Sequence, residues 1–375
     1  MLDLFQPAKR APGECIIKLG GSEATELYPF LIEVTVDTSR AEAAEAVLTF
    51  ETRRDVDGAW FVQDDPRVKP WSKIIIEAAF GDENEEVMRG YIREIQLSFP
   101  EDGGGALVTV TAQDESLLLD RAHKRRVWEI QGGPMNDGAI AAQIIADANL
   151  LPDATPAEGQ TLSANQDATD AAFLKERAEA NGFELIYREG TIYFGPRRLE
   201  GEPQSTIMVY AGAGTNCIQF DIQDDGHLPD AVSLDVAASE GDQIQSKTLL
   251  PDLKLLGTEP ATSAETLDDG FVWRISKEGE SDPDQAETLA QAKANDNAFK
   301  VKGTGILDGT LYGHVLKVGL PVGVDGVGTR HSGVWYVDKV QHSFNADGYK
   351  QNFELMRNAY GDNLSVSSNP LAAVI

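Results

Sequence analysis

Two stretches 245 residues apart carry nearly the same nine residues. Ile95-Gln96-Leu97-Ser98-Phe99-Pro100-Glu101-Asp102-Gly103 reads against Val340-Gln341-His342-Ser343-Phe344-Asn345-Ala346-Asp347-Gly348, with Gln, Ser, Phe, Asp and Gly in matching places. A glycine among apolar or aromatic residues precedes each copy: Gly90 before Tyr91-Ile92, and Gly333 before Val334-Trp335-Tyr336-Val337. A second alternating run follows each, Ala106 to Thr111 and Gln351 to Met356. Asp-Gly between alternating apolar runs is a strong local hairpin signal. The match predicts one β-module present twice. Its motif residues are Gly90, Ile95, Phe99 and Gly103 in the first copy, and Gly333, Tyr336, Val340, Phe344 and Gly348 in the second. Residues four apart on a strand face the same side, so Ile95 with Phe99, and Val340 with Phe344, are expected in barrel cores. Duplication serves symmetry, which points to assembly before catalysis.

Around these passages the chain divides by pattern. Ile32–Val36, Val47–Phe50, Ile74–Ala78, Tyr91–Phe99 and Leu107–Ala112 read as short strands punctuated by Gly, Pro and Asp, as in a small barrel or sandwich. Composition then shifts. Residues 138–149 place Ile140, Ile144, Ile145 and Ala148 on one helical face, with Asn136 and Asp137 as caps. A second helix is expected from Asp170 to Asn181, with Thr169 as N-cap and Gly182 as its left-handed stop. A hairpin over 183–187 and 191–194 follows. Beyond it, strands are expected at 217–222 and 231–236, an Ala-rich helix at 283–299, and an exposed loop at 257–269. After Tyr360 the composition is that of a polar tether.

The chain is long enough for two to four domains, and 42% hydrophobic residues can build full cores. It has no apolar run of about 18 residues, so no membrane-spanning helix is expected, and the N-terminus lacks the pattern of a signal peptide. Cys15 and Cys217 stand alone and read as buried thiols in a reducing compartment. With 61 acidic against 32 basic residues the net charge is −29. Such a surface repels nucleic acid and anionic membranes, and an acidic channel that lets DNA or cargo pass is one use for it.

Catalytic patterns are missing. There is no Gly-x-Ser-x-Gly elbow and no P-loop, and the five histidines show no metal-ligand spacing. Asp-rich turns such as Asp224-Asp225-Gly226 do not continue into a calcium loop. The basic run Arg121 to Arg126 lacks interleaved aromatics and reads as an ion-paired hinge rather than a nucleic-acid patch. The expectation is no enzyme, no cofactor and no metal.

Gly303 to Gly319, followed by Ser332 to Arg357, resembles the C-terminal half of phage late-control D proteins, the baseplate hubs of contractile tails. Thr169 to Tyr187 with Gly190-Thr-Ile-Tyr-Phe-Gly-Pro is similar to that family's helix-hairpin module. The motifs also occur in the hub parts of type VI secretion and extracellular injection-system spike proteins. The resemblance implies a mainly β fold with an α+β insertion: two related tube-type β-barrel domains plus a helix-hairpin domain. The expected boundaries are 1–126 for the first barrel, 127–200 for the insertion, 201–358 for the second barrel, and 359–375 for a flexible tail. It further implies a homotrimeric, pseudo-sixfold ring joining the hexameric tail tube to a separate central spike protein, within a virion baseplate assembled in the host cytoplasm. Tape-measure and baseplate wedge proteins are further candidate partners; membranes and specific nucleic-acid sites are not expected. The alternatives are the hub of an extracellular injection particle and, from another class, a cell-wall-binding or cell-wall-degrading tail protein.

Overall fold

Ten strands account for the core architecture. In the first half they are β1 (Leu31–Ser39), β2 (Glu45–Thr52), β3 (Lys73–Phe80), β4 (Glu83–Ser98) and β5 (Ala106–Asp114). In the second they are β6 (Cys217–Asp224), β7 (Val301–Asp308), β8 (Pro321–Asp325), β9 (Gly333–Asn345) and β10 (Gly348–Arg357). This computed structural model describes residues 13–101, 105–130, 132–237, 244–261, 270–275 and 283–364. Gly103 and residues 365–375 lie outside them.

All ten strands belong to one curled, half-barrel sheet in a mainly β chain. The first half is ordered β1-β2-β5-β4-β3 and the second β6-β7-β10-β9-β8, every pairing antiparallel. Each strand therefore corresponds to the one five labels later. The correspondence extends to irregularities. The β4–β5 ladder slips between Ile92 and Glu94, and the β9–β10 ladder between Val337 and Lys339, which is the same place 245 residues on. A second slip occurs between Leu31 and Glu33 in β1 and between Cys217 and Gln219 in β6. The extra residues there, Ile32 and Ile218, are both isoleucines and both exposed. Bulges bend and twist the strand that carries them, so the two halves curl alike.

Alternation places one face of this sheet in the core. Val34, Val36, Leu48, Phe50, Ile74, Ile76, Ile92, Val108 and Val110 pack the first half. Val301, Leu307, Val322, Val324, Trp335, Val337, Val340, Phe353 and Leu355 pack the second. Each such side chain contributes about 1.5–3 kcal/mol by leaving water.

Between the halves sits the α+β unit. α1 (Asp137–Asp147) is capped by the Asn136 side chain, and α2 (Asp170–Asn181) begins at Thr169, whose Oγ1 accepts from Ala172 N. Gly182 ends α2 at φ 65°. The hairpin Glu184–Arg188 and Thr191–Gly195 follows directly. Strand His123–Trp128 straddles the expected boundary at 126/127, because its whole length pairs with Ala164–Thr169. Its basic residues are ion-paired or stacked: Lys124 with Asp170, Arg125 with Asp167 at 2.8 Å, and Arg126 over Trp128.

The second half carries its own appendage. Ala231–Ala237, Ile244–Leu249 and Val272–Ile275 form a small sheet covered by α3 (Pro283–Asn297), with Val232, Leu234, Ala286, Ala290 and Ala294 between them. The tether expected from residue 359 is corrected at its start. Ala359–Tyr360 pairs with Glu259–Pro260, which also gives structure to part of the expected 257–269 loop, and Ala359 is buried. No helix among the described residues is long and apolar enough to cross a membrane.

Candidate functional site

Among the described residues the two halves meet along a single ladder, β1 against β9, in which Val34 faces Phe344 and Ser39 faces Lys339. On its polar side Gln341 Nε2 donates to Asp37 Oδ1 at 3.0 Å, and Asn345 Nδ2 donates to Glu33 Oε1 at 3.2 Å. Thr38 Oγ1 donates to the Val340 carbonyl at 2.9 Å. At the end of the ladder the bulged residue Asp338 accepts from Arg40, at 3.0 Å on its carbonyl and 2.9 Å on its carboxylate.

On the core side, Phe344 stacks parallel on Tyr349 with ring centroids 4.1 Å apart. Tyr349 Oη shares a 2.9 Å hydrogen bond with His342 Nδ1. His342 is fully buried without a counter-charge, and burial pushes its pKa down to about 3. Phe344, Tyr349 and Val315 belong to the first half's core although the second half supplies them. The first half is thus closed by its neighbour in the sheet.

Tyr336 ties the α+β unit to this frame. Its hydroxyl donates to Glu184 Oε2 at 2.6 Å, and the other Glu184 oxygen accepts from Arg40 Nη1 at 3.2 Å. Burial and the adjacent carboxylate raise the Tyr336 pKa well above its ordinary value.

Of the motif residues, Val340 and Phe344 are buried and Ile95 is half-buried against the first core. Phe99, expected in a core, is 58% exposed, with the Trp60 ring edge-on to it. The reason is topological. Phe344 has β1 beside it, while the equivalent stretch, residues 94–98 of β4 with Phe99 just beyond, has no strand on that edge among the described residues. The two leading glycines are not equivalent either. Gly90 stands at the register position of Trp335, where a Cβ would lie 1.9 Å from the Gln113 carbonyl oxygen. Gly333 is needed for its φ of +133° and for room beside Arg357. Gly348 opens β10 at φ 98°.

The opposite face of the sheet is polar. Thr35, Asp37, Thr49, Thr109, Thr111 and Gln96 alternate with the core residues of the first half, as do Thr304, Gln341, Ser343, Asn352 and Glu354 in the second. The face is concave, with a hollow of about 320 Å³ that runs from Gln219 and Asp221 on β6 across to Asp37 on β1. Hydroxyls and amides dominate it.

Reactive chemistry is sparse. Burial pushes the Cys15 thiol up to about 12 and Cys217 up to about 11, so neither is a ready nucleophile. Among the described residues no three His, Cys, Asp or Glu side chains converge as metal ligands.

A family model described as the Alg8 N-terminal domain matches residues 12–346. The chain belongs to that family. No curated protein is similar in sequence. Among solved structures, the 43 kDa tail protein of prophage MuSo2 from Shewanella oneidensis is similar in fold, with a TM-score of 0.68 at 13% identity, covering 92% of this chain and 98% of that one. The tail protein from Neisseria meningitidis MC58 gives 0.63 at 12% identity, over 92% and 97%. An Escherichia coli type VI secretion component, described as structurally similar to the T4 tail proteins gp27 and gp5, gives 0.53 at 10% identity over 93% and 79%. The chain has the fold of phage tail proteins.

Proposed function

We propose that this chain is a structural hub of a contractile phage tail: three copies close into a pseudo-sixfold ring that joins a hexameric tube to a trimeric spike. The observation that carries the reading is the duplicated half-barrel, with the same strand order and the same two bulges in each half. A chain with two equivalent halves supplies six similar units from three copies. The fold likeness to prophage tail proteins along nearly the whole of both chains supports it.

On this reading the concave polar face lines the channel. Its wall carries hydroxyls and amides together with charges of both signs, Glu33, Asp37, Glu45, Glu94, Asp221 and Glu354 beside Lys302, Lys339 and Lys350. A wall of mixed sign offers phosphates no continuous basic track, and so little counterion release. The paired exposed isoleucines, Ile32 and Ile218, would recur six times around the ring as apolar contacts for a sixfold partner. The likeness to a type VI component favours a second reading, the hub of an injection particle.

Co-expression with a tail-tube protein and a spike protein of the same particle tests the proposal. A complex retaining both partners, with no peptidoglycan cleared in a zymogram and no salt-sensitive retention of duplex DNA, is the expected result. Clearing of peptidoglycan would move the chain to the cell-wall-degrading class.

A further inference from the structure

The ladder joining the two halves has an unused counterpart. β1 corresponds to β6, and β9 to β4, so the equivalent of the β1–β9 junction is β6 against residues 94–99, the end of β4 and the residue after it. Neither edge has a strand beside it among the described residues. They belong to opposite halves and cannot meet within one chain as folded. We propose that a second copy of this chain supplies the missing strand, β6 of one chain pairing antiparallel with β4 of the next. The proposal rests on the ring reading above and names its interface.

The register follows from the internal junction. Val34 opposite Phe344 becomes Phe220 opposite Phe99, and Val36 opposite His342 becomes Ile222 opposite Leu97. Asp37 opposite Gln341 becomes Gln223 opposite Gln96. The backbone is oriented for it. Asp225 N donates inward to the Lys300 carbonyl at 2.9 Å, so by alternation the groups of Phe220, Ile222 and Asp224 point outward. Arg40 N, one alternation step beyond Thr38, points outward in the same way toward Asp338 in the junction already made.

Side chains agree. Leu97 and Phe99 lie on the core face yet are 44% and 58% exposed, as an uncovered seam requires. Phe220 and Ile222 are only partly buried against the second core, whereas the first core is completed by Phe344 and Tyr349 from the neighbouring half. At the polar end the bulge residue is Asp338, bonded to Arg40, in the internal junction; in the open one it is Arg93, which pairs with Glu45 of its own half at 2.9 Å and would stand opposite Gly226, next to Asp225. A head-to-tail contact of this kind closes into a ring when its rotation divides the circle, and pairing removes two exposed edges that otherwise invite aggregation.

Gln96 and Gln223 fall at a non-hydrogen-bonded pair, where side chains approach most closely. Gln96→Cys combined with Gln223→Cys in one chain should therefore give reducible covalent dimers and trimers on mild oxidation. Either single variant should stay at one chain, which also controls for Cys15 and Cys217. Gln96→Cys with Asp221→Cys, two residues out of register, should link far less. The native mass of each sample is measured alongside. A three-chain mass without the cross-link, or with the out-of-register pair linking better, overturns this interface and leaves the ring standing. A one-chain mass with no cross-link at any concentration overturns both.

Discussion

Val34 lies directly opposite Phe344 in the ladder that joins the two halves of the sheet, and the Phe344 ring stacks on Tyr349 inside the core of the half to which neither belongs. The first half-barrel is complete only because the second one closes it.

Phe344→Ala should therefore cost about 3–5 kcal/mol, from lost transfer energy and the cavity left behind. Phe99→Ala, its counterpart by sequence, should cost about 1 kcal/mol or less in a dilute single chain, since only an aromatic edge contact is lost. Urea unfolding of both variants checks this. Equal losses would mean that the two phenylalanines share an environment after all.

Arg357 offers a second test. The side chain is fully buried and donates to four carbonyls: Leu256 at 3.1 Å, His331 at 2.9 Å, Ser332 at 3.1 Å and Gly361 at 2.6 Å. Burial lowers its pKa to about 10, so it remains charged at neutral pH. Arg357→Lys should lose about 3 kcal/mol or more, because a point-like ammonium cannot reach four acceptors spread around a planar fork. A lysine variant as stable as the parent in thermal unfolding would refute that geometry.

The helix-hairpin unit was legible because its signals are local. Thr169 and Gly182 bracket α2 as N-cap and left-handed stop, and the hairpin turn follows within a few residues. The nine-residue match likewise placed β4 and β9 in equivalent roles. Phe99 is exposed against the expectation from its alternation, because a strand's neighbour on its open edge is not encoded in its own pattern. The β1–β9 ladder pairs residues some 300 positions apart, and no short-range pattern announces it. Bulges hide in the same way. The slips at Arg93 and Asp338 reset the alternation, so Ile92 and Ile95 both face inward although they are three apart. Arg357 was invisible as a core residue because its partners are backbone carbonyls, which any sequence supplies.

His342 gives a pH dependence with a definite sign. Its pKa falls from 6.5 to about 3 on burial, so between those values the unfolded chain binds a proton that the folded chain refuses. Its contribution is intact above pH 6.5 and is lost progressively on acidification toward pH 3. Asp114, pushed up to about 6 by burial, works the opposite way between 3.8 and 6, which flattens the overall profile. His342→Leu, which installs the residue found at Leu97, isolates the histidine. The stability advantage of the parent over this variant should shrink by up to about 1.4 kcal/mol per pH unit as pH falls below 6.5. Parallel curves from pH 7 to 3.5 would show that His342 is not the group responsible.

If the two equivalent halves of each chain serve to build a closed ring, the stoichiometry of that ring is open to direct measurement. Native mass spectrometry over a concentration series should reveal a species of three times the 40.6 kDa chain, favoured as concentration rises and dispersed by Leu97→Asp with Phe99→Asp. A single-chain mass throughout, or assemblies of two or four chains, would contradict it.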